Sequence, residues 1–139
     1  MRARLLAAVA ALIPLTAIAA DWVLVSDDDE LTVEMDRASL KQDGNVVRAW
    51  SRWNTKRPTE AYGKTYQSFR ALDFYNCVER TSAMRQVAFY SGPNLDGEVV
   101  GTQDNSDSEL EWTDVPPDAK VETLLDFACK NAPKAAAKK

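Results

Sequence analysis

Residues 31–53 read LTVEMDRASLKQDGNVVRAWSRW, and this stretch decides the fold. Over residues 31–36 apolar and polar side chains alternate, which is the period of a half-buried β-strand. Residues 43–45, Asp-Gly-Asn, predict a turn, because these residue types accept turn conformations at low cost. A second strand then covers residues 46–53. Short connections of this kind join antiparallel strands, so the stretch predicts an antiparallel sheet.

The same patterns extend in both directions from this stretch. Six strands are predicted: Trp22–Val25, Leu31–Asp36, Val46–Trp53, Tyr66–Glu79, Arg85–Tyr90 and Glu98–Thr102. Residues 54–64 contain Pro58 and Gly63 and are predicted to form a loop. The fold class that follows is α+β, with an antiparallel sheet of about six strands and one helix packed on it.

The predicted helix follows Pro116 and Pro117, where the period of the apolar residues changes. Apolar residues fall at helical spacing, one turn apart, and Asp118 stands where a capping residue is expected. The residues of this apolar face are Val121, Leu124, Leu125 and Ala128. The sequence therefore predicts an amphipathic helix near the C-terminus.

Residues 1–20 have the composition of a secretory signal peptide. Two arginines precede an uncharged run from Leu5 to Ala20, which ends in small residues, before Asp21 opens the charged chain. A membrane anchor is the alternative, but the run is shorter than the roughly 20 residues that a spanning helix needs. Because no cysteine lies in or just after the leader, a lipoprotein is not expected. We expect an exported protein without a transmembrane segment after cleavage, in the periplasm first and otherwise extracellular or at the cell surface.

The composition of the chain excludes some classes of function and argues against others. The chain of 139 residues contains no histidine, which excludes mechanisms and metal sites that depend on an imidazole. The net charge is -4, and -6 once the two leader arginines are removed, which argues against duplex nucleic acid as a partner. Residues 21–131 are expected to form one domain, followed by a disordered Lys/Ala tail over residues 132–139.

Cys77 and Cys129 are the only cysteines. An even number in an exported protein favours one disulfide, and two buried free thiols are the alternative. Since Cys129 lies near the end of the predicted helix, a bridge would join this helix to the long strand that carries Cys77. The loop-entropy relation gives such a bridge about 4 kcal/mol of stabilisation.

The candidate binding patch consists of Arg48, Trp50, Arg52 and Trp53. Arginine interleaved with tryptophan is typical of protein-binding surfaces. The alternative is that tryptophan is core here and that the arginine stems only cover it. Acidic turns such as residues 27–30 do not have the ligand spacing of a calcium loop, and no catalytic residue, metal or cofactor is expected.

The order of several landmarks resembles the surface-adhesin protein E-like domain family of exported bacterial proteins. The similarity covers Trp22 to Cys129 and rests on short stretches: residues 22–25, 33–36, 39–40, 44–50, 74–77, 90–91 and 115–117, together with Ser68, Arg80, Gly97, Trp112 and Cys129. The family implies an antiparallel sheet with a C-terminal helix, and it has no catalytic residues to assign here.

The functional expectation is therefore a non-catalytic exported binding module of the bacterial envelope, of the adhesin type. Its partner would be a protein or another envelope component, and a homodimer through a sheet face or edge is expected. The alternative is a periplasmic inhibitor or chaperone-like protein that acts on an envelope enzyme. An enzyme that uses paired carboxylates is the third hypothesis and the one that the sequence favours least.

Overall fold

The computed structural model describes residues 19–134. Eight strands and one helix follow one another in this part of the chain, with short 3-10 turns at Arg37–Ser39, Pro93–Leu95 and Asp107–Glu109. The strands are β1 (Trp22–Asp27), β2 (Leu31–Asp36), β3 (Lys41–Asp43), β4 (Val46–Ala61), β5 (Lys64–Asn76), β6 (Thr81–Tyr90), β7 (Val99–Asp104) and β8 (Thr113–Asp114), and the helix is α1 (Lys120–Asn131). The helix is too short to cross a membrane, and no other helix of residues 19–134 is a candidate.

All strands belong to one antiparallel sheet. Its main order is β1-β2-β4-β5-β6-β7, while β3 pairs with β4 and β8 pairs with β6. The predicted α+β class, an antiparallel sheet with one C-terminal helix, is confirmed. The two strands that the sequence did not predict, β3 and β8, have three and two residues, too few to show an alternating pattern.

The predicted loop over residues 54–64 is wrong. Strand β4 continues past Pro58 to Ala61 and returns through the two-residue turn Tyr62-Gly63 into β5. Both turn residues have positive φ, 54° and 70°, as in the tightest hairpin turns. The missing N–H of Pro58 is tolerated because the β4–β5 pairing is irregular between Asn54 and Thr59.

The helix begins at Lys120, and the predicted cap at Asp118 is wrong. Asp118 has a φ of 64°, and Ala119 is the capping residue, without a side-chain hydrogen bond. Asp118 thus lies one residue before the N-cap, and its left-handed backbone differs from the extended backbone that a capping residue has. The predicted apolar face is confirmed for Leu124, Leu125 and Ala128, which are buried.

The core lies between α1 and the β1, β2, β4 and β5 part of the sheet. It is formed by Val33, Met35, Leu40, Val47, Ala49, Tyr75, Leu124, Leu125 and Ala128. Cys77 and Cys129 form the predicted disulfide, with their Cα atoms 5.8 Å apart. The bridge holds the C-terminal end of α1 against the end of β5. The signal-peptide prediction for residues 1–20 falls almost entirely outside the described residues, as does the tail prediction after residue 134.

Candidate functional site

Strand β4 presents two chemically different faces. The side chains of Val47, Ala49 and Ser51 are buried beneath α1. The intervening residues, Arg48 and Trp50 among them, point to the opposite face, which α1 does not cover. We call this second side of the sheet the outer face.

The structure separates Trp53 from the rest of the predicted patch. Trp53 lies on the helix side, packs against the core and stacks on Phe69, with ring centroids 5.3 Å apart. Its indole Nε1–H donates a hydrogen bond of 2.9 Å to Ser51 Oγ. The predicted patch is therefore reduced on the outer face to Arg48, Trp50 and Arg52.

Arg52 is held between β1 and β2. Its guanidinium forms an ion pair of 2.7 Å with Glu34 on β2, and the two side chains are only 18% and 19% exposed. On β1 the ring of Trp22 lies 4.7 Å from the Arg52 guanidinium carbon. Cation–π contact and ion pairing together fix the position of this arginine.

Arg70 on β5 forms a second stack of this kind. Its guanidinium carbon lies 5.1 Å from the centre of the Trp50 ring. Sequence reasoning missed both Arg70 and Trp22, because they reach the patch from other strands. The alternation along β5 places Arg70 on the outer face, but only the register with β4 brings it beside Trp50. Trp22, Arg48, Trp50, Arg52 and Arg70 together are called the Trp–Arg surface below.

Two pairs of like charges oppose each other across neighbouring strands of the outer face. Arg52 stands opposite Arg70 in the β4–β5 register, and Lys41 stands opposite Arg48 in the β3–β4 register. Among the described residues only Arg52 of these four has a carboxylate in an ion pair. Like charges directly opposite each other destabilise a sheet. The outer face thus concentrates unneutralised positive charge on an acidic protein.

Two open cavities adjoin this charge. One of about 380 Å³ is lined by Asp36, Ser39, Lys41, Arg48, Trp50 and Leu72, together with Ala19 and Ala38. The other, of about 670 Å³, is lined by Lys41, Gln42, Asp43, Val46, Arg48, Phe74, Asp107, Leu110 and Trp112. Lys41 and Arg48 line both cavities, so the two cations stand where the cavities meet. The Asp36 carboxylate already accepts hydrogen bonds from the N–H groups of Asp21 and Ala38.

The acidic turn at residues 27–30 has a structural role. Asp28 accepts hydrogen bonds from the N–H groups of Glu30 and Leu31 and forms an ion pair of 2.6 Å with Lys120 at the start of α1. These donors, the Lys120 ammonium first, hold the pKa of Asp28 well below its usual range. Asp27 forms an ion pair with Lys56 on β4. The turn thus anchors the helix N-terminus to the sheet.

The chain as a whole is similar to proteins of known structure. Solved structures of Haemophilus influenzae protein E are similar to this chain. The first has 17% identity over 91% of this chain and 96% of that chain, with a TM-score of 0.60. A second crystal form has 16% identity over 86% and 95%, with a TM-score of 0.60. The protein from a non-typeable strain has 16% identity over 86% and 79%, with a TM-score of 0.52.

These identities establish a shared fold and nothing finer. No curated protein matches the chain. The family model described as surface-adhesin protein E, however, matches residues 22–130, which is most of the sequence and all of the sheet and core. The similarity inferred from the sequence landmarks is thereby confirmed. The chain belongs to the surface-adhesin protein E family.

Proposed function

We propose that this protein is an exported, non-catalytic binding module of the bacterial envelope, with an adhesin-like role, that recognises a protein partner through the Trp–Arg surface. The family model supports the adhesin-like role. The location of that surface on the face opposite α1 supports recognition by the sheet itself. This proposal retains the sequence expectation of a binding patch but replaces Trp53 by Trp22 and Arg70.

The observation that carries the proposal is the double like-charge pairing of the outer face. Lys41 stands opposite Arg48, and Arg70 stands opposite Arg52, whose charge Glu34 already neutralises. Like charges opposite each other in a sheet are unfavourable. A partner that presents carboxylates between apolar groups would relieve this repulsion and would cover the ring of Trp50. Arginine and tryptophan are the side chains that most often dominate the binding energy of such contacts.

Adherence of bacteria to an epithelial cell monolayer tests the adhesin-like role. A strain that lacks the protein should adhere less, and wild-type protein supplied in trans should restore adherence. Arg70→Glu should fail to restore it, whereas Arg57→Glu should restore it fully. Arg57 is a matched control because it is an exposed arginine on the distant end of β4 and undergoes the same change of charge. Unchanged adherence of the deletion strain would reject the role.

Export is tested separately by mass spectrometry. Intact protein recovered from the envelope should have lost residues 1–19 or 1–20, as the predicted signal peptide requires. Protease treatment of whole cells then distinguishes the cell surface from the periplasm, because only a displayed domain is degraded. A mature mass that retains Met1 would contradict the proposed export.

A homodimer through the sheet stays part of the proposal. Leu24 on the edge strand β1 and Val99 on the edge strand β7 are both more than half exposed, at 58% and 52%. Exposed apolar groups at sheet edges favour association between copies. Light scattering on the purified mature protein should give twice the monomer mass, and the monomer mass at all concentrations would exclude the dimer.

A further inference from the structure

Helix α1 covers only part of the helix side of the sheet. It packs on β1, β4 and β5. The side chains of β6 and β7 on the same side, such as Phe89 and Gln103, are left beside an open groove whose other wall is α1. This groove lies on the face opposite the Trp–Arg surface and plays no part in the function proposed above.

One half of the groove is apolar. It encloses about 320 Å³ and is lined by Trp53, Tyr62, Phe69, Ala71, Asp73, Met84, Val87, Phe89, Gln103, Val121 and Leu124. The aromatic rings form a connected set, since the Phe69 and Phe89 centroids lie 5.1 Å apart and Tyr62 meets Phe89 edge-on at 5.7 Å. A volume of this size suits a small organic molecule.

The other half of the groove is acidic. It encloses about 530 Å³ and is lined by Asp73, Ser82, Met84, Gln103, Asn105, Glu109, Glu111 and Thr113. Asp73, Met84 and Gln103 line both halves, so the two halves adjoin at these residues. No lysine or arginine is among the residues that line either half. The groove therefore changes from aromatic to anionic along its length.

The carboxylates of the acidic half have no cationic partner. None of Asp73, Glu109 and Glu111 forms an ion pair within the described residues. The neighbouring Arg85 is occupied, because Asp104 and Asp107 both bind its guanidinium. Asp73 stands at the junction of the two halves, where it is half-buried beside the aromatic set.

A cation beside Asp73 would also stabilise the charged form of its carboxyl group. Burial raises its pKa to about 7, and the nearby Tyr75 hydroxyl, which favours the charged carboxylate, offsets only part of this shift. The Tyr75 hydroxyl itself is buried, and its contact with Asp73 falls short of full hydrogen-bond geometry. Glu109 and Glu111 approach from the loop before β8, and the α1 residues that line the groove, Val121 and Leu124, are uncharged.

We propose that this groove binds an amphipathic organic cation, with an aromatic or branched apolar body in the apolar half and an ammonium or guanidinium group beside Asp73. The charge complementarity selects the occupant: three carboxylates without cationic partners face the head group, and four aromatic rings face the body. Aromatic rings additionally attract a cation at close range. A carboxylate-bearing ligand of the same shape is repelled, and an uncharged ligand leaves Asp73 without a partner.

The test uses three probes of one shape: 2-(1-naphthyl)ethylamine, 2-(1-naphthyl)ethanol and 1-naphthylacetate. Titration calorimetry on the full mature protein should show that the amine binds at least about tenfold more tightly than the alcohol, and that the carboxylate does not bind measurably. The affinity for the amine should rise between about pH 5.5 and about pH 8, because Asp73 loses its proton over this range. Equal affinity for amine and alcohol would overturn the proposal.

Variants locate the site. Asp73→Asn should reduce the preference for the amine and abolish its pH dependence, while Glu98→Gln, an exposed acidic residue outside the groove, should leave both unchanged. Circular dichroism shows whether Asp73→Asn folds. If it does not fold, Glu109→Gln gives the second measurement and should lower the affinity for the amine several-fold. Full retention of the amine preference in the folded groove variant would show that the cation binds elsewhere.

Discussion

Trp50 and Trp53 lie three residues apart on β4 and point to opposite faces of the sheet. Trp53 packs against the core, stacks on Phe69 and donates its indole N–H to Ser51. Trp50 lies on the outer face with the guanidinium of Arg70 over its ring. Two tryptophans that look alike in the sequence thus lie in different surroundings: Trp53 contributes to the core, and Trp50 belongs to the surface proposed to bind a partner.

Truncation of the two tryptophans should therefore have different effects on stability. Trp53→Ala removes a stacked ring and leaves the buried Ser51 hydroxyl without its donor, so it should lower the free energy of unfolding by about 3–5 kcal/mol. Trp50→Ala should cost roughly 1 kcal/mol or less, as expected for a side chain at the surface. Urea midpoints of the two variants measure both values. Equal and large losses would show that Trp50 also belongs to the core.

The alternation of residues in β4 already assigns Trp50 and Trp53 to opposite faces, and helical spacing identifies the buried face of α1. Register is harder to predict, because the pairing of Arg70 with Arg52 depends on the length of the β4–β5 hairpin. Pro58 and Gly63 are typical of loops, and for this reason residues 54–64 are predicted as a loop and not as a hairpin. Contacts such as that of Trp22 with Arg52 require the order of strands, which no short motif encodes.

The Cys77–Cys129 bridge should contribute strongly to stability. It holds α1 against the sheet, and Leu124, Leu125 and Ala128 are buried only while the helix is docked. Cys129→Ala should lower the free energy of unfolding by about 2–5 kcal/mol. Calorimetry of this variant and of Cys77→Ala measures the loss. Because each variant breaks the same bridge, a large loss in only one of them would indicate packing rather than the disulfide.

Asp73 should make stability fall as pH rises. Its pKa in the folded protein is about 7, against an ordinary value of 3.8. Between these two values the unfolded chain has released the proton that the folded protein still holds, so stability decreases with rising pH and the loss is complete above about pH 7. Asp73→Asn does not titrate and should be more stable than wild type at pH 8, on the order of 2–4 kcal/mol, and should lose this advantage near pH 4.

Urea denaturation of wild type and Asp73→Asn across this pH range measures the effect. Asp96→Asn is a suitable control, since Asp96 lies in the loop before β7 and is exposed. A difference between wild type and Asp73→Asn that does not change with pH would show that this carboxyl titrates normally in the folded protein.

Gly101 and Tyr62 should be energetically coupled. The Tyr62 ring lies so close to Gly101 that a Cβ at this position would overlap three ring atoms. Gly101→Ala should therefore push the tip of the β4–β5 hairpin away and cost about 1–3 kcal/mol. In a Tyr62→Ala background the same change should cost little, and a double-mutant cycle of unfolding free energies gives the coupling. Additive losses would show that the ring does not rest on Gly101 in solution.

The Trp–Arg surface of the outer face is the proposed binding site for the partner. Beads coated with purified mature protein and applied to epithelial monolayers measure this directly. Arg70→Glu should reduce bead adherence at least about tenfold. A higher salt concentration should reduce the adherence of the wild-type beads, because salt screens exposed charges. Arg57→Glu should adhere like the wild type. Equal adherence of the wild-type and Arg70→Glu beads, or an equal loss with Arg57→Glu, would show that this surface does not bind the partner.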